Sequence, residues 1–142
     1  MIKNYQQRDL LPGLECNQPR FLKYYYLFLM NIDSIAYWNR VIAIASELPG
    51  AEISTSYGTP AFKVNKKLFT RLKEDGKTLV VYSEERDKWM KKAPGTFFIT
   101  NHYKNYPSFL VDLESVKTRD LEELLFKAWQ LRAPKRLLKP KS

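Results

Sequence analysis

Residues 52–72 read EISTSYGTPAFKVNKKLFTRL, and this stretch determines how the rest of the chain is expected to fold. A corner with the sequence Tyr57-Gly58-Thr59-Pro60 lies near its start. Gly58 adopts positive φ at no steric cost, while Pro60 fixes its own φ and holds Thr59 in the extended region. The sequence therefore predicts a rigid corner that leads into extended chain.

A basic-tipped β-hairpin is predicted directly after this corner. Residues 61–64 alternate as Ala-Phe-Lys-Val, with Phe and Val on one side, which is typical of a strand that buries one face. The turn is assigned to Asn65-Lys66-Lys67, and residues 68–72 return as the second strand. Lysines at such a tip can contact an anionic partner, or they can protect a sheet edge from pairing with other chains.

The sequence outside this stretch predicts three helices and further strands. The helices are expected at residues 35–48 with Asp33 or Ser34 as N-cap, at residues 84–92 with Ser83 as N-cap, and at residues 118–131. Further strands are expected at residues 53–56, 78–82, 97–100 and 108–111. Because short connections suit antiparallel pairs, we predict an α+β fold with an antiparallel sheet of about five to six strands and three helices.

A single domain is expected from the length of 142 residues. The domain is assigned to residues 30–142, and its last part, residues 133–142, is a basic tail. Residues 1–29 show no helical or strand period over most of their length. They are interpreted either as an extension, packed or disordered, or as the product of an upstream start codon; we favour Met30 as the natural start.

The composition favours a basic cytoplasmic protein. The formal net charge of +9 biases a protein toward polyanions, and nucleic acid is the first of these. Cys16 is the sole cysteine of the chain, so an intramolecular disulfide or a cysteine-based zinc site cannot form, which fits a reducing compartment. No apolar run approaches the roughly 20 residues that a membrane span requires.

The positive charge is concentrated in two stretches. Residues 61–82 contain six basic residues against two acidic ones, and residues 132–142 contain five basic residues and no acidic one. The candidate nucleic-acid-binding residues are Lys63, Lys66, Lys67, Arg71, Lys73, Lys77, Lys104, Lys135 and Arg136. By strand alternation, Lys63, Arg71 and Lys73 are predicted to project to solvent on one side of the hairpin.

A series of spaced residues matches a known family in identity and order. In the first half they are Leu48-Pro49-Gly50, Ser54, residues 56–64, Lys67-Leu68-Phe69 and Leu72. In the second half they are Glu84-Glu85-Arg86, residues 97–100, His102-Tyr103, Tyr106-Pro107, Val111-Asp112-Leu113, Ala128-Trp129 and Ala133-Pro134-Lys135. Over about residues 30–142, the chain resembles the MmcQ/YjbR family.

This resemblance implies both a fold and a role. It implies an α+β domain that is likened to the double-wing DNA-binding domain of the phage transcription factor MotA and to frataxin-type folds. It implies a DNA-binding role, with residues 101–107 as a loop or a second wing. Iron handling of the frataxin kind is not implied, because this chain lacks the dense acidic ridge on which that activity depends.

Few residues point to catalysis, and we predict no enzymatic activity. His102 is the sole histidine, and no cysteine or serine motif accompanies it, so a catalytic triad cannot be argued. Asp112 and Glu114 share a strand face, but two carboxylates are a weak metal signal, so neither a metal nor a cofactor is predicted. Four residues are candidates for a small pocket, either as a stacking surface or as simple packing: Tyr57, His102, Tyr103 and Tyr106.

The sequence therefore predicts a non-enzymatic, monomeric DNA-binding protein that contacts phosphates through its basic hairpin. It leaves open whether the partner is DNA or RNA. Two alternatives remain: a small-molecule-binding or enzymatic domain that uses the four pocket candidates, and a protein-interaction module whose basic face meets an acidic partner.

Overall fold

The computed structural model of the chain describes residues 32–138, which contain four α-helices and six β-strands. In chain order they are α1 (Ile32–Ala45), β1 (Ala51–Ser56), β2 (Thr59–Val64), β3 (Lys67–Leu72), β4 (Thr78–Tyr82), α2 (Arg86–Lys92), β5 (Phe97–Phe98), β6 (Ser108–Asp112), α3 (Thr118–Arg132) and α4 (Lys135–Leu138). A single 3₁₀ turn, Asn101–Tyr103, lies between β5 and β6. The predictions for residues 1–29 and for the end of the basic tail lie outside the described residues.

The six strands form one antiparallel sheet in the order β1-β2-β3-β4-β6-β5. The first four strands follow one another as a meander, because each connection is too short for anything but an antiparallel return. After α2, the chain returns as β5 at the far edge, and β6 then fills the place between β4 and β5. The predicted α+β class, with five to six antiparallel strands and three main helices, is confirmed.

The main core lies between one face of the sheet and the helices. Side chains of alternate strand residues point to the same face of the sheet. On each strand, the side chains of one face therefore pack on the apolar stripes of the helices. Among the buried residues of this core are Trp38, Val41, Phe62, Leu72, Leu79, Val81, Trp89, Phe109, Val111, Leu121 and Leu125. Each such side chain contributes roughly 1.5–3 kcal/mol by its removal from water.

The other face of the sheet, which we call the open face, is only partly covered. Val80 and Leu110 are cross-strand neighbours on this face, and Tyr103 packs on them from the loop between β5 and β6. Phe98 completes this small cluster. The open face therefore carries its own apolar patch, to which none of the four α-helices contributes a residue.

Two consecutive hairpins turn through pairs of residues with positive φ. The φ angles are 53° at Tyr57 and 78° at Gly58, and 51° at Asn65 and 68° at Lys66. Positive φ at both central residues is the signature of the type I′ turn, whose twist matches that of the flanking strands. The predicted corner is thus the two-residue turn between β1 and β2, and the basic turn consists of two residues, because Lys67 already belongs to β3.

Lys66 occupies a turn position that favours glycine, and this leads to a stability prediction. Replacing Lys66 by glycine should raise the free energy of unfolding by about 0.5 kcal/mol, since relief of the left-handed conformation exceeds the entropy that glycine loses on folding. Urea denaturation measures this change. The matched change Lys67→Gly, in a strand, should instead lower stability by roughly 0.5–1 kcal/mol; equal effects of the two changes would contradict the turn assignment.

The turn between β3 and β4 is held by the carboxylate of Asp75. It accepts hydrogen bonds from the backbone N–H groups of Lys77 and Thr78, at 3.0 and 2.9 Å, and from the Thr78 hydroxyl at 2.6 Å. Burial opposes ionisation of Asp75, but these three hydrogen bonds together hold its pKa below the ordinary value. Gly76 follows with a φ of 75°, as the Asp-Gly sequence predicts.

Several predicted boundaries were wrong, among them the end of α1, which lies at Ala45 and not at Leu48. The Ser83 hydroxyl accepts from the N–H of Glu85, so it closes a turn before α2, and Glu85 takes the N-cap position. α1 is already helical at Ile32, so Asp33 and Ser34 are helical residues and not its N-cap. The strand predicted at residues 97–100 stops after two residues, because only these pair with β6 before the chain enters the 3₁₀ turn.

Candidate nucleic-acid interface

The basic residues predicted from the sequence fall into two groups at opposite ends of the hairpin. Lys66 and Lys67 lie at the tip between β2 and β3, whereas Lys73 and Lys77 lie where β3 turns into β4. At about 3.3 Å per strand residue, Lys67 and Lys73 are separated by roughly 20 Å of extended chain. Lys63 lies between the two groups, half-buried, opposite Glu52 of β1 and Leu68 of β3.

The short helix α4 brings the basic C-terminal residues to the tip end of the sheet. Leu137 of α4 is partly buried against the core at Gly50, next to Val64, the last residue before the tip. Arg132, at the end of α3, donates from Nε to the carbonyl of Leu68 at 3.1 Å.

Lys135 and Arg136 are exposed on α4. Four basic residues therefore share one end of the sheet, which we call the basic end: Lys66, Lys67, Lys135 and Arg136.

Gly50 allows this docking. Its φ is 73°, and a β-carbon at this position would lie 2.7 Å from Cδ1 of Leu137. The backbone conformation therefore favours glycine, and a β-carbon here would displace the end of the Leu137 side chain. The Leu-Pro-Gly sequence is typical of a helix end, and nothing in it indicates that residue 50 receives α4.

Arg71 is buried on the open face of the sheet, in contrast to the solvent-exposed position predicted by strand alternation. Its side chain is 8% exposed. Nη1 donates to the Thr59 hydroxyl at 3.1 Å, Nη2 donates to the Tyr103 hydroxyl at 3.4 Å, and the carboxylate of Glu74 lies 3.6 Å away. The alternation correctly gave the face of Arg71, but a side chain from a distant loop covers that face.

The four pocket candidates lie around this arginine, and we call them the aromatic cluster. The guanidinium of Arg71 lies over the ring of Tyr57, 5.0 Å from its centroid. The ring centroids of His102 and Tyr103 are 4.8 Å apart, and those of His102 and Tyr106 are 5.6 Å apart. The structure therefore brings together residues that are almost 50 positions apart in sequence, through Arg71 and Tyr103.

Arg86 holds the loop that carries most of this cluster. Its Nη1 donates to the carbonyls of Tyr103, Tyr106 and Ser108 at 2.9, 2.8 and 3.2 Å, and its Nη2 donates to the carbonyl of Lys104. A guanidinium presents five donors in a rigid fork, so one side chain satisfies four carbonyls. Sequence analysis assigns Arg86 no role beyond its place in the family resemblance, since no local pattern indicates a contact with a loop about 20 residues away.

Several charges on the helical side of the molecule are paired, unlike those of the basic end. Lys127 binds Glu85 at 2.9 Å and Glu123 at 3.3 Å, and Lys92 binds Asp120 at 2.9 Å. The hydrogen bond between Lys127 and Glu85 lowers the pKa of the Glu85 carboxyl and raises the pKa of the Lys127 ammonium. Within residues 32–138, no residue of the basic end lies in ion-pair distance of a carboxylate.

Asp112 serves the local backbone. Its carboxylate accepts from the N–H of Glu114 and from the Ser115 hydroxyl, at 3.0 and 3.1 Å, and so shapes the turn after β6. Across the part of the chain that the structure describes, no three His, Cys, Asp or Glu residues are grouped so that they could hold a metal ion. None of the helices described is long and apolar enough to cross a membrane.

Comparison with known proteins identifies the family. The family profile of YjbR matches residues 46–131, which is more than half of the chain. This chain belongs to the YjbR family. The match spans the whole sheet and nearly all of α3, and it confirms the resemblance inferred from the spaced residues.

Two of the relatives that this YjbR protein matches are named as uncharacterized proteins. The uncharacterized proteins Mb2600 of Mycobacterium bovis and Rv2570 of Mycobacterium tuberculosis are each 49% identical to it over 45 residues. That alignment covers 32% of this chain and about a third, 35%, of each relative. The crystal structure of Deinococcus radiodurans protein DR2400, with a DUF419 domain, aligns with a TM-score of 0.59 and 19% identity over 72% of this chain and 88% of that one, which supports the fold.

Proposed function

We propose that this YjbR protein is a non-enzymatic, cytoplasmic DNA-binding protein that contacts phosphates through its basic end. The observation that supports this most is the distribution of ion pairs. Three lysines on the helical side, Lys88, Lys92 and Lys127, lie within ion-pair distance of carboxylates, whereas no residue of the basic end has such a partner among residues 32–138. Unpaired cations gathered at one end of a sheet suit a polyanion, because neutralised phosphates release their counterions.

The sheet topology argues against the alternative that these lysines protect an edge. β2 and β3 are interior strands, and the edges of the sheet are β1 and β5. Lys66 and Lys67 thus lie on a tip that projects between interior strands, where they have no edge to protect.

The salt dependence of binding tests this proposal. The affinity of the full-length chain for a fluorescein-labelled DNA duplex is measured by fluorescence anisotropy over a series of salt concentrations. Four phosphate contacts should give a slope of log affinity against log salt of about −3.6, with little dependence on sequence. A slope near zero would overturn the proposal and would favour the alternative of a small-molecule or enzymatic site.

Competition separates the proposed function from the protein-interaction alternative. An unlabelled duplex of unrelated sequence should displace the labelled duplex at a similar concentration, because phosphate contacts carry no sequence information. An acidic protein whose net charge is similar to that of the unlabelled duplex should displace the labelled duplex far less well. The reverse order of competition would favour an acidic protein partner.

A further inference from the structure

Tyr57 projects from the turn between β1 and β2, at the margin of the open face. It is 84% exposed, the highest value among the large apolar residues that the structure describes. Its φ of 53° is a conformation that bulky residues rarely adopt, whereas asparagine and glycine adopt it readily. A strained and exposed aromatic residue serves neither packing nor the turn, and strain of this kind is retained where the side chain has another use.

Arg71 holds this ring in a defined position. The guanidinium covers one face of the Tyr57 ring, while the high exposure leaves the other face to solvent. Arg71 is itself fixed by Thr59 and by the hydroxyl of Tyr103. A cation that lies against one face of a ring holds the ring in place. A planar group can then stack on the opposite face without a further loss of side-chain conformational entropy.

A second exposed ring lies on the same cluster. Tyr106 is 54% exposed, and its centroid is 6.2 Å from that of Tyr103 and 5.6 Å from that of His102, which is also exposed. The Arg86 hydrogen bonds fix the backbone that carries Tyr106. Two exposed rings are therefore preorganised on either side of the Arg71–Tyr103 contact.

Cations border these rings. The ammonium of Lys73 lies 5.8 Å from the centroid of the Tyr103 ring, and Lys104 is exposed directly after Tyr103. Stacking rings beside positive charge are the features by which proteins bind single-stranded nucleic acid, whose bases have free faces and whose backbone is anionic. In a duplex, the base faces lie inside the stack and cannot reach such rings.

We propose that the aromatic cluster is a stacking site for unpaired bases of single-stranded nucleic acid, with Tyr57 and Tyr106 as the stacking residues and Arg71 as the positioning residue. This inference rests on the proposed function and refines it. The basic end contacts phosphates of any nucleic acid, whereas the aromatic cluster selects strands whose bases are exposed. The site discriminates single strands from duplexes and leaves base identity largely unread.

The test compares three probes on one substitution that leaves the fold intact. Affinities for a fluorescein-labelled oligodeoxythymidylate, the matching oligouridylate and a DNA duplex of the same length are measured with the full-length chain. Tyr57→Asn creates Asn-Gly, the preferred pair for this turn, so the melting temperature should be unchanged or higher. Binding of the single strands should fall roughly 5- to 100-fold, the usual loss for one base–aromatic contact, while duplex binding should stay within about twofold.

Two further variants complete the test. Tyr57→Phe keeps the ring and should keep single-strand affinity, and Phe126→Ala removes a 45% exposed ring from the helical side and should leave it unchanged. Unchanged single-strand affinity in Tyr57→Asn, or an equal loss in Phe126→Ala, would overturn the stacking site. If duplex binding then still shows its salt slope, only this inference fails; if no probe binds, the proposed function fails as well.

Discussion

Replacing Lys66 and Lys67 together by glutamate should weaken duplex binding by roughly 10- to 100-fold at low salt, because two phosphate contacts are lost and two repulsive charges are added. The slope of log affinity against log salt should flatten by about 1.8, which corresponds to about 0.9 for each lost contact. The loss should be similar for unrelated duplex sequences. Anisotropy titrations at several salt concentrations measure both quantities.

The control is the double change Lys88→Glu/Lys91→Glu on α2. It alters the net charge by the same amount, but on the helical side, where both residues are exposed. The control variant should lose only a little duplex affinity, because its altered charges act on the DNA only through the long-range electrostatic field of the protein. Folding should change little in the Lys66/Lys67 variant, because surface substitutions usually alter stability within about 0.5 kcal/mol. Equal losses in both variants would show that total charge, and not the basic end, determines binding.

Replacing Arg86 by methionine should lower the free energy of unfolding by about 2 kcal/mol. The change removes the donors that satisfy four loop carbonyls. A buried hydrogen bond to a charged group contributes about 1.5–3 kcal/mol to stability. The contribution of each bond is smaller here because the Arg86 side chain is half-buried. Urea denaturation measures the loss. Amide hydrogen exchange should show faster exchange at residues 101–107 than in β4.

Two variants show whether the geometry of the guanidinium is responsible. Arg86→Lys keeps the charge, but an ammonium cannot span four carbonyls, so most of the loss should remain. Arg119→Met removes an exposed arginine for which the described part of the chain offers no hydrogen bond or ion pair, and it should cost less than about 0.5 kcal/mol. Full stability in Arg86→Lys would show that positive charge alone holds the loop.

The sequence by itself determined the fold class and the family. The alternation in residues 61–64 and the turn chemistry of Tyr57-Gly58 and Asp75-Gly76 all act between near neighbours, and so do the apolar stripes of the helices. Local patterns of this kind predict elements because the interactions concerned span only a few residues. They also located the basic tip between β2 and β3, although the length of the turn was overestimated by one residue.

Only the tertiary structure decided what each functional side chain meets. Alternation gives the face on which Arg71 lies, but the loop that buries it comes from more than 30 residues away. The same holds for α4, which joins the tip through Leu137 and Gly50, and for Arg86, whose four acceptors belong to a distant loop. Contacts over such separations depend on how the sheet and loops pack, and no local pattern in the sequence records them. For this reason the sequence predicted that Arg71 projects to solvent with the lysines of the hairpin, whereas the structure buries it at the centre of an aromatic cluster that is separate from the basic end.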